Sequence, residues 1–180
     1  MKFSYYLRLI EEDYLNRYSS KMTFSKLLIS YITDINFRVT VRFRIQSYFN
    51  SKSKKLKIFA VFIRNGNIKK YGVEIGINTK IDGGVNLHHV NGIVIGDGVV
   101  IGRRANIFQQ VTIGKKNNAY PYIGNDVTIY PGSKIIGDIN IGNNVTVGAN
   151  SVVNKSVVDN MVVVGIPASE INNKRQVVRI

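Results

Sequence analysis

The sequence contains no cysteine, three prolines and two histidines among 180 residues. Without cysteine the chain can form no disulfide, bind no metal through thiolate and use no cysteine nucleophile, so a covalent acyl-cysteine route is excluded. The same absence fits a reducing compartment. The scarcity of proline, with 44% apolar and 20% charged residues, argues against collagen-like repeats and against disorder. No apolar run approaches the roughly 20 residues of a membrane span. The longest near the N-terminus, Leu56 to Ile63, is interrupted by Lys57, and no basic segment followed by a long apolar stretch opens the chain. These absences lead to the expectation of a soluble, cytoplasmic globular protein of one domain with a small appendage.

Charge and glycine divide the chain in two. Residues 1–70 hold 15 Lys or Arg against 4 Asp or Glu, whereas residues 71–180 hold 10 against 7. Only Gly66 lies in the first part, and the other 15 glycines lie between Gly72 and Gly165. Two differently built segments therefore meet near residue 70.

The first segment reads as α-helical. Phe3, Tyr6, Leu7, Ile10, Tyr14 and Leu15 follow a period close to 3.6, and Thr23 or Ser25 can cap a second helix through Leu27, Leu28, Tyr31 and Ile32. Residues 37–48 carry two patterns at once. Phe37, Val39, Val41, Phe43 and Ile45 alternate with polar residues as a strand does, while Phe37, Val41, Ile45 and Tyr48 form a helical stripe. Helix is the favoured reading, with the intervening arginines as a solvated face and an anionic partner surface as the alternative.

The second segment is a repeat. Aliphatic residues recur every six positions at Ile75, Ile81 and Leu87; after a two-residue slip they continue at Ile95, Ile101, Ile107 and Ile113. The register breaks again and resumes at Ile123, Ile129, Ile135, Ile141, Val147 and Val153. A second inward set comes four positions after ten of these: Thr79, Val85, Val99, Ala105, Val111, Val127, Ser133, Ile139, Val145 and Ser151. Six residues make a short strand plus a tight turn, and pairs such as Asp97-Gly98, Asn125-Asp126 and Asn143-Asn144 fall where positive φ is tolerated.

The stretches YGVEIGINTKI, NLHHVNGIVIGDGVVIG, IFQQVTIG, PYIGNDVTIYPGSKIIGDINIG, VGANSVV and GIPAS, covering residues 71 to about 169, resemble the hexapeptide-repeat acyltransferases. Within them the chain is similar to serine O-acetyltransferases and their short capsule- and polysaccharide-associated relatives. The resemblance implies a mainly β fold: a left-handed parallel β-helix of triangular section over residues 71–169, behind a small helical domain over 1–70, with a tail at 170–180. It implies acetyl-CoA as co-substrate, no metal, and a homotrimer or a dimer of trimers with sites between subunits.

The slip holds both histidines, His88 and His89. Read without the surrounding motif, they suit an exposed turn as well as a base active near neutral pH. The resemblance places the catalytic histidine at His89 and its orienting acid at Glu74, fifteen residues upstream, where the family usually has Asp. A coil takes about eighteen residues, so this spacing brings the two side chains near each other on successive coils. By motif position Gly114, Pro131 and Ala149 line the acetyl-CoA groove. Lys155, Lys174 and Arg175 are candidates for its phosphates by charge alone.

The acceptor is less determined. A zwitterion such as serine needs a cation for its carboxylate and a carboxylate for its ammonium. The family supplies Arg-His in the inserted loop and Asp before the catalytic histidine, where this chain has Ala119-Tyr120 and His88; Asp34 is a third candidate acid. The favoured acceptor is therefore a sugar hydroxyl in surface polysaccharide biosynthesis, with Tyr120 stacking on the ring. The basic helical segment suits an anionic glycan or peripheral membrane contact. Serine acetylation in cysteine biosynthesis, supported by the terminal Ile180, is the alternative. A structural or anion-binding solenoid is the non-enzymatic one, and no nucleic-acid-binding motif is present.

Overall fold

The structure, a computed structural model, describes residues 2–171. Four helices come first: α1 (Phe3–Tyr18), α2 (Phe24–Thr33), α3 (Ile35–Asn50) and α4 (Lys57–Tyr71). Thr23 caps α2 by accepting from the Lys26 amide, and Asp34 caps α3 by accepting from the amides of Asn36 and Phe37. Gly72, at φ +62°, closes α4 in the left-handed conformation.

Helix α3 is the centre of this domain, with α1, α2 and α4 packed on it and strand β3 (Asn86–Leu87) against its side. Its buried residues Phe37, Val39, Thr40, Val41, Phe43, Arg44 and Gln46 point in almost every direction. That explains the double pattern: a helix covered on most sides, with Ile45 left exposed, buries part of the helical stripe and fills alternate positions as well. The arginines expected on a solvated face are used differently. Arg38 donates to the carbonyls of Tyr31 and Ile32 at the end of α2, and Arg42 donates to Asn67 Oδ1 of α4. Arg44, 1% exposed, lies between α1 and the solenoid.

The solenoid then winds through three parallel sheets. Its first coil is β1 (Glu74–Ile75), β2 (Lys80–Ile81) and β3; the second is β4 (Val94–Ile95), β5 (Val100–Ile101) and β6 (Asn106–Ile107). The third is β7 (Thr112–Gly114), β8 (Tyr122–Ile123) and β9 (Thr128–Ile129), and the fourth β10 (Lys134–Ile136), β11 (Asn140–Ile141) and β12 (Thr146–Val147). β13 (Val152–Val153), β14 (Val162–Gly165) and β15 (Ala168–Glu170) finish it, β15 pairing antiparallel to β14. Each strand pairs with its counterpart one coil later, giving the orders β1-β4-β7-β10-β13, β2-β5-β8-β11 and β3-β6-β9-β12-β14-β15.

Register records both irregularities. A regular coil pairs residues 18 apart, as Val94 with Thr112. The slip lengthens the first coil, so Glu74 pairs with Val94. The later insertion lengthens the third, so Val100 pairs with Tyr122. Both inward sets of the six-residue repeat are buried at every position, and Val73, Ile93, Val157 and Val163 extend them at turns and ends. The polar members are satisfied: Ser133 Oγ donates to the Tyr130 and Gly148 carbonyls, and Thr79 Oγ1 to the Gly96 carbonyl.

One buried ion pair joins the two parts. Arg44 donates Nε and Nη2 to the two carboxylate oxygens of Asp13, at 2.7 and 2.9 Å, and further bonds to the carbonyls of Ile81 and Asp82. Asp13 Oδ1 also accepts from the amides of Gly84 and Val85. Removing one partner leaves the other charged and without compensation in the interior. Asp13→Ala should therefore lower the unfolding free energy by about 3–5 kcal/mol, read as a fall in urea midpoint. A loss below about 1 kcal/mol, the level of an exposed pair, would show that this junction is not what holds the domains together.

Candidate active site

The turn after β3 is held from three sides. Asn36 Oδ1 at the start of α3 accepts from the Val90 amide at 2.9 Å. The Gly92 amide donates to the Gly72 carbonyl at the end of α4, and the Asn91 carbonyl accepts from Gln110 on the next coil. Within this frame His89 adopts a left-handed conformation, φ +49°, and its exposed ring has no hydrogen-bond partner among the described residues. His88 is fixed instead. Its Nε2 lies 3.1 Å from Asn106 Oδ1, and its ring stacks on Phe108 at 4.3 Å, followed by Phe108 on Tyr130 at 5.2 Å. A stacked, bonded imidazole supports the turn and is poorly placed to seek a substrate.

Arg17 of α1, which the sequence pattern did not single out, reaches the same turn. Its Nη1 donates to Asn86 Oδ1 at 2.5 Å and to the Leu87 carbonyl at 3.1 Å, two residues before His89. Its Nε donates to Asp34 Oδ2 at 2.6 Å, so Nη2 is the part of the guanidinium left for a ligand. Asp34 also accepts from the Tyr18 hydroxyl on Oδ2 and from two backbone amides on Oδ1. Four bonds fill the four lone-pair directions of a carboxylate. Asp34, a candidate ligand for an acceptor ammonium, is thus placed at the site but committed to aiming Arg17. Burial pushes its carboxyl up, yet the Tyr18 hydroxyl, Arg17 and the Phe37 amide outweigh this and hold it below the usual carboxylate value.

Glu74 departs from its expected role. It stands on the outer face of β1, where Arg64 of α4 meets it at 3.2 Å, and no hydrogen bond joins it to His89 among the described residues. The fifteen-residue spacing puts Glu74 and the turn on neighbouring levels, but α4 descends beside β1 and its arginine takes the carboxylate first.

The comparisons agree with this architecture. Residues 120–155 match the family model described as bacterial transferase hexapeptide (six repeats). A serine acetyltransferase of Staphylococcus epidermidis is 45% identical over 100 residues, covering 53% of this chain and 47% of that protein. One from Buchnera aphidicola is 35% identical over 147 residues, 77% of this chain and 53% of that protein. A solved serine acetyltransferase in complex with CoA superposes with a TM-score of 0.80 at 26% identity, over 94% of this chain and 71% of that one. The chain belongs to the hexapeptide-repeat family. It spans about half the length of the curated relatives it matches.

In this hexapeptide-repeat chain the remaining candidates fall at distinct places. Pro131 and Ala149 share one edge with the histidine turn: the Asn150 amide donates to the Pro131 carbonyl, Gly132 to Gln109, and Gln110 to Asn91. Asn91 is the foot of that column, two residues after His89. Gly114 ends β7 on a different sheet, paired with Ile136. Lys155 is exposed beyond β13, while Lys174, Arg175 and Ile180 lie outside the described residues.

The inserted loop folds back as a tight hairpin. Lys116 and Ala119 exchange backbone bonds around Asn117 and Asn118, both at positive φ, which fits Asn in such turns. Ala119 thus serves the backbone. The Tyr120 ring lies on Gly96 and Gly98, where an added Cβ would overlap it. This contact gives one side of the ring to the prism and leaves Tyr120 partly exposed. The acid dependence of stability tests the Arg17 anchor. Asp34 has a depressed folded pKa, so its stabilisation is present above the ordinary carboxylate value, about 3.9, and is lost as pH falls through the folded value. Asp34→Asn, which keeps a capping side chain, should be less stable than wild type near neutrality. The difference should shrink as pH falls below about 4; thermal melts across that range would reveal a constant gap if the charge plays no part.

Proposed function

We propose that this chain is an acetyl-CoA-dependent O-acetyltransferase acting on the hydroxyl of L-serine, with His89 as general base. The observation that carries the reading is the unpartnered His89 imidazole on a turn pinned from three sides, with the Arg17 guanidinium anchored two residues away. Arg17 Nη2 would supply the cation for an acceptor carboxylate that Ala119 and Tyr120 do not provide. The serine acetyltransferase names of the relatives support this acceptor. A glycan hydroxyl, the acceptor expected from the loop residues, finds no support among them.

In the proposed reaction neutral His89 accepts the serine hydroxyl proton as the oxygen attacks the thioester carbon of acetyl-CoA. Collapse of the tetrahedral intermediate breaks the C–S bond, and the imidazolium returns the proton to the departing CoA sulfur. No covalent acyl-enzyme forms, in keeping with the missing cysteine. Hydrogen bonds at a catalytic base are often long until substrates bind. Glu74 can orient the imidazole only by leaving Arg64, which makes Arg64 a counter-weight in that step. CoA in the structural relative supports the co-substrate, and the Asn91-Gln109-Pro131-Ala149 edge is the surface proposed to receive it. Assembly as a trimer, with sites shared between subunits, is part of the same reading.

His89→Ala should reduce kcat at least about 100-fold, while His88→Ala, which disturbs a stack, should reduce it far less. Arg17→Gln should raise KM for serine at least about tenfold through loss of a charge-assisted bond, leaving KM for acetyl-CoA nearly unchanged. CoA release would be followed with serine, free sugars and nucleotide sugars as acceptors. A sugar outperforming serine would overturn the acceptor, and near-wild-type turnover by His89→Ala would overturn the mechanism.

A further inference from the structure

Helix α4 is turned the unusual way round. Its inner face, with Ala60 and Asn67 buried, packs on α3, yet its outer face carries Ile58 and Phe62, exposed by 65 and 77%, flanked by Phe59, which is 51% exposed and meets the Phe49 ring of α3 at 5.5 Å. Phe62 follows Phe59 by three positions and Ile58 by four, so the three form one stripe. Singly exposed apolar residues are ordinary, but three adjacent large ones mark an interaction surface. Lys54 and Lys55 stand exposed in the loop before the stripe and Lys69 and Lys70 after it. Between Asp34 and Glu74 the chain holds ten Lys or Arg and no acidic residue.

From this combination we infer that the outer face of α4 docks in the interface of an anionic lipid bilayer. The helix lies in the plane of the headgroups, and the two phenylalanines enter the acyl boundary. The pattern is that of interfacial helices: apolar residues on one side, lysines at the margins, and a length too short and polar to cross. Charge selects this occupant over a second copy of the same face. Two such stripes in contact would bring lysines of like sign within a Debye length, with no carboxylate on this stretch to separate them. An anionic surface instead attracts each of them. Helix α2 exposes a larger apolar set with fewer lysines, Phe24 82%, Leu28 50%, Ile29 59% and Ile32 61% exposed near Lys26. The inference rests on the helical domain alone and is independent of the proposed reaction.

The full chain should be centrifuged with vesicles of phosphatidylcholine containing about one third phosphatidylglycerol, a surface that attracts basic side chains, and with pure phosphatidylcholine vesicles. The mass of wild type and variants in solution should be read by light scattering. Binding to the anionic vesicles is expected, weaker on pure phosphatidylcholine and weakened by salt. Phe62→Ser should reduce it at least about tenfold, and Lys54→Gln and Lys55→Gln about fivefold each, with the mass in solution unchanged. The inference is overturned if the anionic vesicles do not bring the protein down or if Phe62→Ser binds them as wild type does. It is equally overturned if Phe62→Ser lowers the oligomeric mass, because the stripe is then a contact between protein chains.

Discussion

The candidate site lies where a helical domain is fixed against the first coil of a solenoid, and the buried Asp13–Arg44 pair sits at the centre of that junction. Asp13 belongs to α1 and Arg44 to α3, and together they take two amides and two carbonyls from residues 81–85. Each ion is paired and hydrogen-bonded, the condition under which a buried charge is tolerated. Geometry follows from chemistry: a bidentate guanidinium–carboxylate contact fixes orientation as well as distance. Arg17 lies one helical turn beyond Asp13, so a rotation of α1 about its axis would lift Arg17 off the Leu87 carbonyl. Asn36, two turns before Arg44 on α3, would likewise lose the Val90 amide. Asn16, which donates to the Gly84 carbonyl, and Gln46, which donates to the Ile75 carbonyl, hold the same two helices in that orientation.

Much of this is legible in the sequence, for a physical reason. A six-residue repeat fixes which side chains face inward regardless of what surrounds the coil, so the period alone places Ile75 and Ile101 in the core. The slip and the insertion are equally plain, because each shifts the register of everything after it. The helical domain is less legible. Residues 37–48 support two readings because α3 is buried on most sides, and the periodicity does not reveal α4 as a helix at all. Its apolar residues face outward, which removes the contrast that periodicity measures.

The site divides along the same line. His89 can be named because it sits in a local motif. Arg17 cannot: its partners Asn86 and Leu87 lie about seventy positions away, and nothing in NRYSS distinguishes it from fourteen other basic residues in the first segment. Asp34 stands out as a candidate acid, but its saturation by Arg17, Tyr18 and two amides is a property of packing. Glu74 shows the opposite case. Its spacing is right, yet spacing says nothing of Arg64, delivered by the helix that precedes it.

The location of His89 on an irregular turn also has a physical cause. At the regular corners one residue per coil takes positive φ, in the column Arg104, Asp126, Asn144 and Asn160, or in Gly92, Gln110, Gly132 and Asn150. Outward side chains there tie to the coil above, as Asn125 does to Asn143 and Asn143 to Asp159. Such ladders satisfy polar groups and stiffen the prism, but a side chain held in a ladder is not free to take a proton from a substrate. The two extra residues of the slip have no counterparts in the coils above. They let His89 adopt a second left-handed conformation in the turn that already contains Gly92, at a cost of order 1 kcal/mol for a non-glycine residue. That cost is carried by the bonds from Asn36, Gly72 and Gln110. The interruption of the repeat therefore does what the repeat cannot, placing a titratable ring outside the columns while the backbone beneath it stays held.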